Sequence, residues 1–319
     1  MYSFKGGAGR TVSTANVALI LARELNRRVV LLDIDVESAG SSVLFGLDER
    51  VRQGSCWSIQ DVLRGYSIRS SDEDETKHQR ESIEVNRTDF ESHLWPKMQS
   101  TVWEGKDAYL KVLPSQIILS SDHELKVSYP EGQKKFEHLL MKIDGLQDSP
   151  ELIMYDSASG QQATAMFGLM NSHILVVFVR WSRQFIIGTT QFLKRYICQE
   201  RFCRRIKQVF IVPTAVPVRR PQGRLGAELA RREEHFREDI TLVNGTAVRD
   251  FGVTPGWIRL LEPIHECEAL KWDDRVFLLE DDSFQKEPGI GELMQDYRQL
   301  AETLAAALHS EGRPERRRR

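Results

Sequence analysis

Short apolar runs alternate along this chain with stretches in which apolar residues recur every three or four positions. The runs predict strands at 2–4, 28–35, 152–156, 174–179 and 208–212, and the segment 174–179 is apolar throughout, which is typical of a strand buried on both faces. The helical spacing predicts helices at 12–26, 132–146, 185–196 and 290–308. Between 40 and 66 only one short helix, 59–64, is predicted within a loop. This alternation favours an α/β fold with a mostly parallel sheet.

The segment 67–106 interrupts this rhythm. Polar and acidic residues without periodicity dominate it, although Phe90, Trp95 and Trp103 supply apolar anchors. It is either a partner-binding insertion or a helical elaboration packed on the core, and we favour the second. A length of 319 residues fits two domains or one α/β domain with insertions. We predict a single domain over 1–311 with an insertion at about 67–106, followed by a basic tail at 312–319.

Composition does not select a partner. The net charge is −2 with 28% charged residues, so the chain as a whole has no strong electrostatic field that would select a partner. Apolar runs fall short of the ~18 residues that a bilayer span needs, and the glycine-rich turn begins at residue 5, where a signal peptide would lie. We therefore expect a cytoplasmic protein with no membrane partner. The four cysteines form no C-x-x-C pair, so neither disulfides nor a zinc site is predicted.

A glycine-rich turn follows the first apolar run. Its sequence is Lys5-Gly6-Gly7-Ala8-Gly9-Arg10-Thr11, between a predicted strand and a predicted helix. Glycines let the backbone turn without a Cβ penalty and bring several N–H groups to one point, where the positive end of the helix dipole adds to them. Such a turn binds a phosphate chain. The Thr11 hydroxyl can bind Mg²⁺, and the cation at Arg10 can reach the terminal phosphates. A surface loop whose glycines serve only geometry is the alternative.

Acids stand at the ends of two predicted strands. Asp33 and Asp35 alternate along the strand 28–35, so both side chains face one side. The carboxyl ends of strands in open α/β sheets are where ligands bind. The alternative is that these acids only cap the following turn. The run 152–156 also ends in an acid, Asp156.

These motifs together resemble a known family. KGGAGRT resembles the deviant Walker A loop of the ParA/MinD ATPases, a group that includes the nitrogenase iron protein. YSFKGGAGRT followed by ANVA looks like the KGGVGR branch, in which arginine replaces the usual P-loop lysine. LLDIDVESAG resembles the second motif of the family and LIMYDSASG its Walker B strand, while YLKVLP and 257–264 resemble two further strands. The resemblance implies a mostly parallel, doubly wound sheet flanked by helices, of the P-loop NTPase type.

The resemblance also implies roles for individual residues. The residues that would bind ATP are Lys5, Gly6, Gly7, Ala8, Gly9, Arg10, Thr11, Val12, Pro213 and Thr214. Pro213 and Thr214 are included because the loop after that strand commonly contacts the adenine in this family. Mg²⁺ would be held by Thr11, Asp33 and Asp156. Asp35 would orient the attacking water, Lys5 would reach the nucleotide of a facing subunit, and Arg10 would take the place of the P-loop lysine.

Three functions remain open. The leading one is an ATP-binding, slowly hydrolysing ATPase that forms an ATP-bridged homodimer and docks or activates a partner protein. The second is a ParA-like, ATP-dependent, non-specific DNA-binding protein, favoured by eleven Lys or Arg against two acids over 194–232 and by the arginine tail. Such charge runs are also common on solvated helix faces. The third is a hydrolysis-deficient nucleotide-sensing scaffold subunit, suggested by the bulkier, planar guanidinium of Arg10.

Overall fold

The structure is a computed structural model that describes most of the chain. The described residues are 1–64, 87–116, 129–160, 163–219, 221–271 and 273–309. The chain divides into two compact units, one formed by Met1–Leu21 with Ser172–Arg319 and the other by Ala22–Asn171. Each unit has its own sheet. The arginine tail and the polar residues 65–86 lie outside the described residues.

Strands and helices alternate along the chain. The strands are β1 (Tyr2–Ser3), β2 (Arg28–Ile34), β3 (Ser100–Glu104), β4 (Tyr109–Leu113), β5 (Leu152–Ser157), β6 (Ile174–Val179), β7 (Gln208–Val216), β8 (Ile258–Leu260) and β9 (Ile264–His265). The α-helices are α1 (Arg10–Arg23), α2 (Gly40–Leu44), α3 (Asp48–Arg52), α4 (Ile59–Arg64), α5 (Arg87–Asp89), α6 (Trp95–Met98), α7 (Tyr129–Asp144), α8 (Ala163–Asn171), α9 (Arg183–Phe192), α10 (Glu200–Cys203), α11 (Gly223–Phe251) and α12 (Ile290–His309). Phe90–Leu94 and Leu193–Ile197 are π-helical turns. The predicted α/β fold is confirmed.

The sheet of the first unit is parallel. Its strand order is β1-β6-β7-β8, and β9 pairs with the end of β7. The central strand β6 is buried from Leu175 to Val179, as its apolar sequence predicts. Since the strands run in the same direction, the carboxyl ends of β1, β6 and β7 lie at one edge. The glycine-rich turn, which follows β1, is therefore at the same edge as the end of β7.

The sheet of the second unit has the order β3-β4-β2-β5. Its strand pairs are parallel except for β3 with β4, and Asp33 of β2 stands opposite Asp156 of β5. The core packs β2 and β5 against α4, α7 and α8, with Phe136 in contact with the rings of Tyr155 and Phe167. The two acids thus start from adjacent backbone positions at the carboxyl ends of neighbouring strands.

Several elements differ from the sequence prediction. The 29-residue helix α11 was not predicted, because its dense charges obscure a buried stripe at Phe236, Ile240, Val243 and Ala247. The short helices α2 and α3 occupy the segment predicted as a loop, since five residues are too few to show a period. Within the described part of 67–106, Phe90 and Trp95 are buried in the core of the second unit, which agrees with a packed helical elaboration. No helix among the described residues has the length and hydropathy needed to cross a bilayer.

Candidate functional site

The glycine-rich turn after β1 is open toward solvent. Gly7 and Gly9 have φ of 81° and 67°, left-handed conformations that favour glycine, and a Cβ built at either would meet nothing within 4 Å. Within the described residues, the backbone N–H groups of Gly6 to Gly9 donate to no protein acceptor. Helix α1 begins at the next residue, Arg10, so the positive end of its dipole adds to these N–H groups. The turn therefore offers the donors and the space that a phosphate chain requires.

Arg10 lies against this turn rather than in solvent. Its side chain is 7% exposed, and its guanidinium approaches the hydroxyls of Ser3 and Thr11 at 3.4 Å each. Further into α1, the carboxamide of Asn16 donates to the carbonyl of Arg275 and accepts the N–H of Phe277, both at 2.9 Å. Asn16 therefore connects the segment before α12 to α1 through its side chain.

Lys5 is on the exposed side of the turn. Its ammonium donates a 2.8 Å hydrogen bond to the side-chain oxygen of Gln184 on α9. The preceding residue, Phe4, packs directly over Gly188, where an added Cβ would lie 2.1 Å from the ring. The first turns of α9 thus contact Phe4 and Lys5, the two residues that lead into the glycine-rich turn.

Pro213 and Thr214 lie within β7 and not in the loop after it, because the strand continues to Val216. Pro213 stands opposite Val179 of β6. The hydroxyl of Thr214 donates a 2.7 Å hydrogen bond to the carbonyl oxygen of Ala8, and both residues are buried. The structure therefore connects the end of β7 to the glycine-rich turn through the backbone of Ala8.

In the second unit, Asp33 is fully buried with both carboxylate oxygens engaged. One oxygen accepts the N–H of Asp35 at 3.2 Å, and the other accepts the N–H and hydroxyl of Ser42 at 2.9 and 2.7 Å. The Ser42 hydroxyl in turn accepts the N–H of Ser115 at 2.8 Å. Asp33 therefore holds the segment between β2 and α2 in place, and with it the backbone of Asp35.

Asp156 is the second fully buried acid of this cluster. It accepts a 2.7 Å hydrogen bond from the hydroxyl of Ser41 on α2. Burial and then repulsion from Asp156 raise the pKa of the Asp33 carboxyl to about 7, although the hydrogen bonds from Ser42 act in the opposite direction. Two carboxylates that repel each other in a buried site are stabilised by a nearby cation.

The donor set suits Mg²⁺ bound together with phosphates. No group of three or more His, Cys, Asp and Glu side chains among the described residues could hold a metal ion alone. Mg²⁺ is commonly bound by one or two carboxylates, with water and substrate phosphates completing its coordination. Asp156 with Asp33, and separately the hydroxyl of Thr11, are residue types that fit this kind of binding.

Sequence reasoning missed the serines that position the acids. Ser41, Ser42 and Ser115 are fully buried, and each contacts Asp33, Asp35 or Asp156 directly or through another serine. The first two follow the acidic strand in the run AGSS, where nothing in the pattern of residues distinguishes a buried hydroxyl from an exposed one. Gln184 was missed for a different reason, because its contact with Lys5 joins positions 179 residues apart.

Comparison with known proteins identifies the family. Residues 1–310 match the family model of the CobQ/CobB/MinD/ParA nucleotide-binding domain. The chain belongs to this nucleotide-binding family. A 63-residue segment is 38% identical to a protein of Tupiella akineta described as septum site-determining protein MinD, and it covers 20% of this chain and 19% of that protein. The match therefore spans about a fifth of the length of the curated relative.

Solved structures of MinD share the fold. The cell division ATPase MinD of Pyrococcus furiosus superposes with a TM-score of 0.57 at 18% identity, over 96% of this chain and 97% of that chain. MinD of Pyrococcus horikoshii OT3, solved with Mg-ADP, gives a TM-score of 0.55 at 15% identity over 96% of both chains. The predicted P-loop NTPase fold of the MinD/ParA type is thus confirmed, and the MinD/ParA family consists of ATPases.

Proposed function

We propose that this chain is an ATP-binding, slowly hydrolysing ATPase that acts as a nucleotide-dependent dimer switch and docks or activates a partner protein. The glycine-rich turn carries the proposal, because it has left-handed glycines and, among the described residues, N–H groups with no protein acceptor at the start of α1. Family membership and the Mg-ADP bound to MinD of P. horikoshii support a nucleotide as the ligand.

The proposed roles of the site residues in nucleotide binding, Mg²⁺ binding and hydrolysis follow from the chemistry of each residue. The segment from Lys5 to Val12 binds the phosphates, and Thr11 and Asp156 hold Mg²⁺, with Asp33 supporting them. Asp35 orients the water that attacks the γ-phosphate. When bound, Mg²⁺ neutralises charge on the phosphate oxygens. The hydrogen bonds that fix Asp33 and the backbone of Asp35 support these roles, since an orienting carboxylate needs a held position.

Lys5 is proposed to make the contact between the two subunits of the dimer. Its ammonium is at the exposed side of the turn, where it can leave Gln184 and contact the nucleotide of a second copy. ATP would then bridge the two subunits, and hydrolysis would remove the bridge. A switch of this kind works through the lifetime of its ATP state, so slow turnover is expected.

Binding and assembly can be tested together. Calorimetric titration of the full chain with MgATP and MgGTP reports affinity and base preference, while sedimentation with a slowly hydrolysed ATP analogue reports the dimer. Lys5→Ala should bind nucleotide nearly as well as the unaltered chain but remain monomeric. An absence of heat with every nucleotide at millimolar concentration would refute the proposal, and normal dimers in Lys5→Ala would refute the role of Lys5.

A measurement of ATP hydrolysis distinguishes the proposed switch from a nucleotide-sensing scaffold subunit. The guanidinium of Arg10 is close to the hydroxyl of Thr11, which favours the alternative of a hydrolysis-deficient nucleotide-sensing scaffold subunit. Steady phosphate release in the unaltered chain supports the switch. Nucleotide binding without any phosphate release supports the scaffold instead.

A DNA-binding role of the segregation type is the other alternative. Arg195, Arg201 and Lys207, which precede β7, are exposed and could attract phosphates without base specificity. Some other cations of 194–232 are paired, since Lys194 is 2.8 Å from Asp239 and Arg232 pairs with Glu228. DNA retention that requires ATP and weakens with salt would favour this role, and a lack of retention at low salt would exclude it.

A further inference from the structure

The contact between Thr214 and Ala8 joins two buried residues that are distant in sequence. The Thr214 oxygen lies 2.7 Å from the Ala8 carbonyl oxygen and 3.4 Å from that of Val179. A hydroxyl has one proton, so the shorter contact is the better hydrogen bond. Thr214 and Ala8 are 4% and 2% exposed, which leaves little access for water to replace the bond.

The backbone at the end of β7 is shaped to present this hydroxyl. Thr214 pairs with Ile264 and Val216 with His265, so Ala215 is an extra residue in β7 relative to β9. Ala215 has φ of 50°, which is unusual for a residue other than glycine. Bulges of this kind redirect a neighbouring side chain and are common beside functional sites.

Fixing the Ala8 carbonyl also fixes the next N–H group. In a trans peptide the C=O of one residue and the N–H of the next point in opposite directions, and the described chain contains no cis peptide bond. A carbonyl of Ala8 held inward by Thr214 therefore directs the N–H of Gly9 outward. Gly9 is exposed, and space at its α-carbon is open.

We propose that Thr214 is a positioning residue, which aims the Gly9 N–H at the phosphates through the Ala8–Gly9 peptide and does not read the adenine. The inference rests on the proposed nucleotide site and names the residue that organises it. Loss of a contact with the base would change the affinities for ATP and GTP by different factors. Loss of a correctly oriented N–H would lower the affinity equally for every ligand that carries the same phosphates.

The test compares Thr214→Val, which removes the donor at nearly constant volume, with Thr214→Ser, which keeps it. Each full-length variant is titrated with MgATP, MgGTP and inorganic tripolyphosphate with magnesium. Thr214→Val should bind all three about tenfold more weakly, as expected for the loss of one hydrogen bond, and Thr214→Ser should stay within about threefold of the unaltered chain. If Thr214→Val does not fold, Thr214→Ala takes its place, with thermal unfolding recorded for each variant.

The outcomes are distinguishable. A loss confined to ATP would show that Thr214 contacts the base and would overturn the inference, as would unchanged binding of tripolyphosphate in Thr214→Val. A loss of binding in Thr214→Ser as large as that in Thr214→Val would indicate a packing role and would also overturn it. If the unaltered chain bound none of the three ligands, the proposed function itself would fail and this inference with it.

Discussion

The ammonium of Lys5 and the carboxamide of Gln184 form a hydrogen bond of 2.8 Å on the exposed face of α9. Phe4 packs over Gly188, which is one helical turn beyond Gln184 on the same face. Helix α9 therefore contacts two consecutive residues, Phe4 and Lys5, directly before the glycines of the turn. If Lys5 acts on the nucleotide of a second subunit, it has to leave Gln184, so the strength of this bond sets part of the cost of dimerisation.

Two substitutions of Gln184 should shift the constant for ATP-dependent dimerisation in opposite directions. Gln184→Glu places a carboxylate beside the ammonium and should weaken the dimer about two- to fivefold, the range of an exposed ion pair. Gln184→Leu removes the acceptor and should strengthen the dimer by a similar factor. Sedimentation equilibrium with a slowly hydrolysed ATP analogue measures both constants.

The control for this pair is the Lys5→Ala background, which should remain monomeric with either Gln184 variant because no ammonium is left to contact the second nucleotide. If the two variants shifted the dimer constant in the same direction, Gln184 would not be competing for Lys5.

Gly188→Ala should destabilise the protein and disturb the turn. The new Cβ would lie 2.1 Å from the Phe4 ring, so the ring or α9 has to move, at a cost of about 1–3 kcal/mol. Nucleotide affinity should fall as well, because a displaced Phe4 would shift the backbone that leads into the glycine-rich turn. Urea unfolding and calorimetric titration measure the two effects.

Gly245→Ala is the matched control, because Gly245 is inside α11 and an added Cβ there meets nothing within 4 Å. This change should leave stability unchanged or raise it by up to about 1 kcal/mol through helix propensity. Equal unfolding free energies for the two variants would mean that Phe4 moves aside without cost.

The sequence predicts the parts of this molecule that depend on local pattern. The strand β6 was predicted with its observed bounds because it is apolar at every position, and α12 was predicted because its buried residues repeat every three or four positions. Helix α11 escaped prediction since four buried residues are spread among many charged ones. Periodicity measures the contrast between two faces, and this contrast is weak in a long, partly exposed helix.

The candidate site shows the same division. The glycine-rich turn and the acids at strand ends follow from short motifs, whereas their supports do not. Thr214 reaches Ala8 across 206 positions, and Ser115 reaches Ser42 across 73. Such bonds depend on which strands become neighbours, which no local pattern of hydroxyl-bearing residues specifies.

Ser42→Ala should destabilise the second unit. The Ser42 hydroxyl donates to Asp33 and accepts the N–H of Ser115, so its removal leaves a buried carboxylate and a buried N–H each short of one partner. We expect a loss of about 1–3 kcal/mol in the free energy of unfolding, measured by urea denaturation. Ser55→Ala, at an exposed hydroxyl bonded to a nearby carbonyl, is the control and should cost less than about 0.5 kcal/mol. Equal stability of the two variants would show that water replaces Ser42.

Asp35→Asn should separate nucleotide binding from hydrolysis. The substitution keeps the shape of the side chain and an oxygen that can accept the N–H of Ser38, but it removes the charge that we propose orients the attacking water. Steady phosphate release should fall about 100-fold or more, with MgATP affinity changed by less than about threefold. Because hydrolysis would end the dimer, the variant should also remain dimeric for longer after mixing with ATP. Asp48→Asn, which alters an ion pair with Arg52 on α3, should change neither quantity. Phosphate release by Asp35→Asn at the rate of the unaltered chain would remove Asp35 from the mechanism, since a carboxamide cannot supply the same negative charge to the water.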